Sequence, residues 1–137
     1  MIKRLAIIGY GAIAKDVLQT LTPLLEERQV EVLILKRSAL SDAEQKALPH
    51  MAKVVQHPEQ LWAFKADLII EAAGQEAVAQ YVPACLSSGA DVLITSIGAL
   101  ANHDLYAALL KVAEQFNSRV LLPAGAVAGL DYIQSIK

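Results

Sequence analysis

Aromatic side chains are scarce: Phe, Trp and Tyr make up 5% of this 137-residue chain, although 55% of it is hydrophobic. The apolar mass is therefore Ala, Val, Ile and Leu, the residues of buried parallel strands and of the helices that cover them. The single cysteine, Cys85, excludes an internal disulfide and a cysteine-built metal site, and no metal site is expected. Its place in the apolar helical stretch "YVPACLSSG" predicts buried packing. A basic block is missing too. With 12 Lys and Arg against 14 Asp and Glu, a net charge of −2, nothing tracks a phosphate backbone, and nucleic acid is not an expected partner. No apolar run approaches the roughly 18 residues of a membrane span. Lys3 and Arg4 before "LAIIGYGAIA" imitate a secretory signal, but Gly9 and Gly11 break the apolar core, and cleavage after Ala14 would remove a strand that the pattern requires. A soluble, cytoplasmic protein is expected. At roughly 100 to 200 residues per domain, the length leaves room for one domain, 1–137.

Short β-rich runs alternate with longer helical ones, the order that builds a parallel sheet with helices on its faces. "RLAIIG", "VEVLILK", "AKVVQ", "DLIIEAA", "DVLITS" and "RVLLPA" predict strands, and helices are predicted over 12–27, 42–48, 58–64, 75–88 and 102–116. Ser41 and Glu44 spell an S-x-x-E capping box, Pro49 stops the helix that follows, and Gly89 closes the one containing Cys85. No internal repeat, low-complexity stretch or long linker interrupts this order.

Gly9, Gly11 and Ala14 form G-x-G-x-x-A directly after the first strand and directly before the first helix. Gly9 permits the tight turn, Gly11 lets a pyrophosphate approach the backbone, and Ala14 keeps the helix close to the sheet. The free N–H groups and the positive end of the helix then face the phosphates. The fold class this predicts is α/β, a Rossmann-type doubly wound, mainly parallel sheet with helices on both faces. A glycine-rich turn with no ligand is the alternative. About 20 positions further on, an acidic residue at the end of the second strand normally binds the ribose 2′-hydroxyl of NAD. Here that strand ends in Lys36, Arg37 and Ser38. Two cations and a hydroxyl suit a 2′-phosphate better than a bare diol, so NADP is the preferred cofactor and NAD the second choice. The alternative is that both cations merely solvate a strand end.

"EAAGQEAV", "TSIGALA" and "LPAGAVAGLD" each place a glycine with small neighbours just after an apolar strand. Gly74, Gly98 and Gly125 would each serve as an ordinary turn glycine, but three at the same sheet edge favour a shared crevice. Together with "IGYGAIA", and in this order and spacing, these segments resemble the N-terminal domain of L-aspartate dehydrogenase across nearly the whole chain. "SIGAL" and "PAGAVAGLD" are the most specific parts of the likeness. The resemblance implies oxidation of L-aspartate by NAD or NADP to an imine, which hydrolyses to oxaloacetate and ammonia. On matching positions it implies that Gly9, Gly11, Ala12 and Ile13 hold the pyrophosphate. Ala73, Gly74, Gln75, Ser96, Gly98 and Ala126 would line the nicotinamide side.

Members of that family continue into an α+β domain that supplies the substrate contacts, the catalytic histidine and the dimer contacts, whereas this sequence stops at Lys137. His50, His57 and His103 fall in apparent loops or at a helix start, outside any segment matching the family's catalytic one, so no catalytic residue is assigned. The excess of small apolar residues suits a face made for a second domain. The expectation is the cofactor half of a dehydrogenase that is a homodimer at full length. Two alternatives stay open: another two-domain oxidoreductase, such as a homoserine or sugar dehydrogenase, and a non-enzymatic dinucleotide-binding regulatory module.

Overall fold

Strand pleat sorts the apolar residues of each strand to opposite sides, and the helices then choose between the two faces. The structure, a computed structural model, describes residues 2–123. In chain order it runs β1 (Arg4–Ile8), α1 (Ala12–Glu27), β2 (Glu31–Leu35), α2 (Asp42–Ala47), β3 (Ala52–Val55), α3 (Pro58–Phe64), β4 (Leu68–Glu71), α4 (Gln75–Ser87), β5 (Asp91–Ile94), a 3-10 helix (Ile97–Ala101), α5 (His103–Phe116) and β6 (Val120–Leu121). The sheet order is β3-β2-β1-β4-β5-β6, and every pairing is parallel.

Leu5 and Ile7 of β1, Val32 and Ile34 of β2, Leu68 and Ile70 of β4 and Leu93 of β5 share one core with Ala14, Leu18, Leu21 and Leu25 of α1. The alternate residues, Ala6, Ile8, Leu33, Leu35, Ile69, Val92 and Ile94, share the other with Leu61 of α3, Val78, Tyr81 and Val82 of α4 and Leu109 of α5. Both faces are therefore covered, which is why the central strands read as continuous apolar runs rather than as alternating ones. Cys85 is buried in the second core, as expected, and burial pushes its thiol up to about 12. That leaves it protonated and inert at neutral pH.

Element ends follow local chemistry. Ser41 caps α2 by accepting from the Glu44 amide at 3.1 Å, while the Glu44 carboxylate accepts from the Ser41 amide at 3.0 Å, the expected capping box. Asn102 stands one residue before α5 and caps it through the Leu105 amide at 3.1 Å, so that helix begins at His103. The helix bearing Cys85 ends at Ser87, with Gly89 at φ +89° beyond it. The expected strand "RVLLPA" contracts to Val120 and Leu121, an edge strand paired on one side with β5, and the Ala124 that ends the expected run lies outside the described residues.

Three non-glycine residues, Gln29, Lys65 and Asn117, take left-handed backbone at the ends of helices, with φ of 56°, 55° and 55°. Lys65 closes α3 in that conformation without the freedom of glycine. Left-handed backbone costs a side-chain-bearing residue about 1–2 kcal/mol, and glycine returns about 0.4–1 kcal/mol of that as extra unfolded-state entropy. Lys65→Gly should therefore stabilise the chain by about 0.5–1 kcal/mol, seen as a higher midpoint in urea; a lower midpoint would contradict the cap geometry.

Candidate cofactor site

Between β1 and β4 the strand order reverses, with α1 packed on one face and α4 on the other. Such a reversal leaves a crevice outside the carboxyl ends of the strands. A hollow of about 360 Å³ lies there, and Gly9, Gly11, Lys36, Arg37, Ala73 and Tyr81 are among its walls. A larger hollow of about 660 Å³ between α1 and α2, walled by Lys15, Pro23, Glu44 and Pro49, is a groove between two helix flanks. The smaller one is taken as the site because strand ends and a helix N-terminus converge on it.

The two glycines of the β1–α1 turn do different things. Gly9 has φ +98°, and a Cβ placed there would stand 2.7 Å from the Ala72 carbonyl oxygen, so the fold itself demands glycine. Its amide donates to the Leu35 carbonyl at 2.8 Å, which fastens the turn to the end of β2. At Gly11 a Cβ would meet nothing within 4 Å. No protein atom requires glycine at position 11, and the space beside it is open to a ligand. Gly11 opens α1 with extended backbone and no side-chain cap, and no acidic residue lies in the first turn. The first amides of the helix have no intrahelical partners, so they and the positive end of the helix face outward, as a pyrophosphate needs. Ala14 is fully buried against the sheet, and Ile13 is 57% exposed on the outer side of the same turn. Tyr10, between the glycines, turns inward, and burial raises its pKa. The Lys15 ammonium sits 5.4 Å from the Tyr10 ring and 2.8 Å from the Glu44 carboxylate, linking α1 to the start of α2. That hydrogen bond, ahead of the Ser41 amide, holds the Glu44 carboxyl down at about 2.

Lys36 and Arg37 line the crevice, but Ser38 does not; it lines a neighbouring hollow with Ala39, Gln45 and His57. Ser38 instead holds Lys36: the ammonium donates to Ser38 Oγ at 2.6 Å, to the Ser38 carbonyl at 3.3 Å and to the Ala39 carbonyl at 3.2 Å. Arg37 reaches across the crevice to α4. Its Nε and Nη2 donate to the Tyr81 hydroxyl at 3.1 and 2.6 Å, Nη2 donates to Gln80 Oε1 at 2.6 Å, and the guanidinium lies 5.6 Å from the Tyr81 ring centre. Tyr81, Gln80 and the crevice residue Glu76 had not been singled out from sequence. The spacing of small residues points to the strand ends and gives no sign of a polar tether from α4.

The remaining expected residues form a second cluster. Ala73 and Gly74 follow β4, Gln75 begins α4, Ser96 follows β5 and Gly98 lies in the 3-10 helix. The Gln75 amide group covers Gly98, where any Cβ would collide with it. At the centre of the cluster is Glu71, at 0% exposure, which sequence reasoning missed. Its carboxylate accepts from the Ala73 and Gly74 amides at 2.9 and 3.0 Å and from the Ser96 amide and hydroxyl at 2.9 and 2.8 Å. Its signal in the sequence is an acid ending an otherwise unbroken apolar run. Ala126 and Gly125 lie outside the described residues. Among the described residues no group of three or more His, Cys, Asp and Glu could hold a metal ion, and no helix is long and apolar enough to cross a membrane.

A 3-2-1-4-5-6 parallel sheet whose glycine turn opens a helix at the reversal point defines a Rossmann-type domain that binds a nicotinamide dinucleotide. The chain belongs to the family described as the homoserine dehydrogenase NAD-binding domain, whose model matches residues 9–123. The expected likeness to L-aspartate dehydrogenases is borne out. The chain is 41% identical over 137 residues to L-aspartate dehydrogenase 2 of Bordetella pertussis, covering 99% of this chain and 50% of that protein. It is 35% identical over 134 residues to L-aspartate dehydrogenase of Methanococcus maripaludis, covering 96% and 49%. The chain thus spans about half the length of these curated relatives. The crystal structure of aspartate dehydrogenase from Thermotoga maritima shares its fold, with a TM-score of 0.64, 23% identity and coverage of 98% of this chain and 51% of that one.

The glycine pair gives a direct contrast. Gly9→Ala should lower stability by more than about 2 kcal/mol, because it adds left-handed strain to a backbone collision. Gly11→Val should fold nearly as well as the native chain yet bind dinucleotide too weakly to measure, since its methyls fill the ligand's space. Urea denaturation and calorimetric titration check the two halves. Unchanged affinity in Gly11→Val would remove the fingerprint from the site.

Proposed function

We propose that this chain is the cofactor-binding half of an NAD(P)-dependent L-aspartate dehydrogenase. The observation that carries the reading is the likeness to curated L-aspartate dehydrogenases along almost the whole chain, joined to a glycine turn whose open side fits a pyrophosphate. A bound dinucleotide supplies hydride acceptance from the amino-acid carbon, giving an imine that water hydrolyses to oxaloacetate and ammonia. This chain's contribution is to bind and to orient. Gly9 shapes the turn, Gly11 leaves room, and the amides of Ala12 and Ile13 with the end of α1 hold the pyrophosphate. By the likeness to those relatives, Ala73, Gly74, Gln75, Ser96 and Gly98 would line the nicotinamide side, with Ala126, outside the described residues, assigned there on the same ground. Substrate contacts and proton transfer belong to the other half of a protein about as long as the relatives, where the contacts of a homodimer would also lie. Its compartment is the cytoplasm. The second reading is a homoserine dehydrogenase, which the description of the matching family favours. Assay of the complete protein with L-aspartate and with L-homoserine separates the two; turnover of homoserine alone would overturn the first.

Cofactor choice follows from the end of β2. Lys36 is held by the loop that follows it, and Arg37 is held by Tyr81 and Gln80, so two cations stand preorganised on the adenosine side with no carboxylate among Lys36, Arg37 and Ser38. Preorganisation lowers the ordering cost of a 2′-phosphate contact or of a stack on the adenine. A charge-assisted hydrogen bond is worth roughly 1.5–3 kcal/mol, and screening at an exposed strand end reduces that, so NADP should bind about tenfold more tightly than NAD. Calorimetry at low salt checks the ratio. Lys36→Asp combined with Arg37→Ala should reverse it, and raised salt should weaken NADP binding more than NAD binding. Equal affinities in the native chain would cancel the NADP assignment and leave the dinucleotide site standing.

A further inference from the structure

Glu71 is a fully buried acid that the proposed function does not use. Its neighbours on the same face of the sheet, Ile69, Val92 and Ile94, are held by apolar packing, and a leucine at position 71 would avoid the several kcal/mol that desolvating a carboxylate costs. What a carboxylate does there and a leucine does not is gather donors. Oε2 accepts from the Ala73 amide, the Gly74 amide and the Ser96 hydroxyl, and Oε1 accepts from the Ser96 amide. The main-chain carbonyl of the same residue accepts from Thr95 Oγ1 at 2.8 Å and from the Thr95 amide at 3.1 Å. One residue therefore fixes the loop after β4 against the loop after β5. The same loop includes Gly74, where φ is +118° and the Cβ direction is empty for 4 Å, so that the turn before α4 presents bare backbone. Next to it, Gln75 at the start of α4 covers Gly98 in the 3-10 helix that follows β5.

We infer that Glu71 is the positioning residue for the nicotinamide half of the cofactor: it sets the spacing of the two loops, Ala73–Gly74 and Ser96–Gly98, between which the ring lies. This rests on the reading of the crevice as a dinucleotide site and adds a division of labour within it. The adenosine and pyrophosphate contacts come from β1, α1 and β2 and do not depend on Glu71. Only an acceptor-only group satisfies this arrangement. A glutamine has one acceptor oxygen, and its NH₂ would face at least one of the donors on the other.

The test compares NADP⁺ with 2′-phospho-ADP-ribose, which lacks only the nicotinamide, by calorimetric titration of the chain. In Glu71→Gln, NADP⁺ affinity should fall by about tenfold, while 2′-phospho-ADP-ribose changes by less than about twofold. Thr95→Val removes the hydroxyl that donates to the Glu71 main-chain carbonyl without altering a residue assigned to the cofactor, and should give a smaller loss with the same selectivity, which decides the matter if Glu71→Gln does not fold. Selective loss of NADP⁺ affinity supports the inference. Equal loss with both ligands would mean that Glu71 only holds the fold together, and no loss with either would mean that the loops do not need it; either result overturns the inference. If the native chain bound neither ligand, the dinucleotide reading itself would fall and this inference with it. Binding of both ligands without a selective effect overturns the inference alone.

Discussion

At the ligand edge the β1–α1 turn runs hard against the chain leaving β4, where the Ala72 carbonyl oxygen would lie 2.7 Å from any Cβ at position 9. That approach follows from the register. Ile8 pairs with Glu71, so β1 and β4 end level with each other, and their following loops must pass side by side. The Ala72 amide donates to the Ile8 carbonyl at 2.9 Å and the Gly9 amide to the Leu35 carbonyl at 2.8 Å, which ties three strand ends into one rim. Glycine at position 9 makes the rim possible, and the crevice is what remains when α1 and α4 leave the rim on opposite faces.

A buried carboxylate beside that rim imposes a second condition. Isolated, Glu71 would be expensive to bury; with four donors converging on it, the charge is satisfied and the loops become dependent on one another. The same strategy recurs at lower cost at the end of β2, where Arg37 and Tyr81 join that strand end to α4. Each tether joins elements that are distant in sequence, and such ordering, made before a ligand arrives, need not be supplied by binding. Apolar side chains at this edge, Ile13 and Ile97, stand exposed, and they offer contact area to whatever lies over the crevice.

The architecture was legible in the sequence because both faces of the sheet are covered. Continuous apolar runs such as "LAII" and "LII" can be little else between glycine turns and helical periods, and the expected helices are present even with Pro23 inside α1 and Pro83 inside α4. The last strand was less legible: an edge position needs little pairing, and among the described residues of that run Val120 and Leu121 alone are paired as strand, with Leu122 at 41% exposure. The crevice residues Gly9, Gly11 and Lys36 could be found because glycine and charge mark strand ends by themselves. Tethers could not. Arg37 meets Tyr81 across 44 positions and Glu71 meets Ser96 across 25, and no local spacing encodes contacts of that range. Ser38, expected beside a phosphate, supports Lys36 from outside the crevice, a role set by the turn of the loop and invisible in the residue type.

Whether the edge between β1 and β4 binds a dinucleotide is tested most directly by following the backbone-amide NMR signals of the chain during titration with NADP⁺. Saturable shifts should concentrate at Gly9, Gly11, Ala12 and Ile13, at Lys36 and Arg37, and at Ala73, Gly74 and Ser96, with the 3-10 helix responding and the groove between α1 and α2 silent. Shifts confined to that groove, or a spectrum unchanged at millimolar ligand, would contradict a dinucleotide site at the reversal point of the sheet.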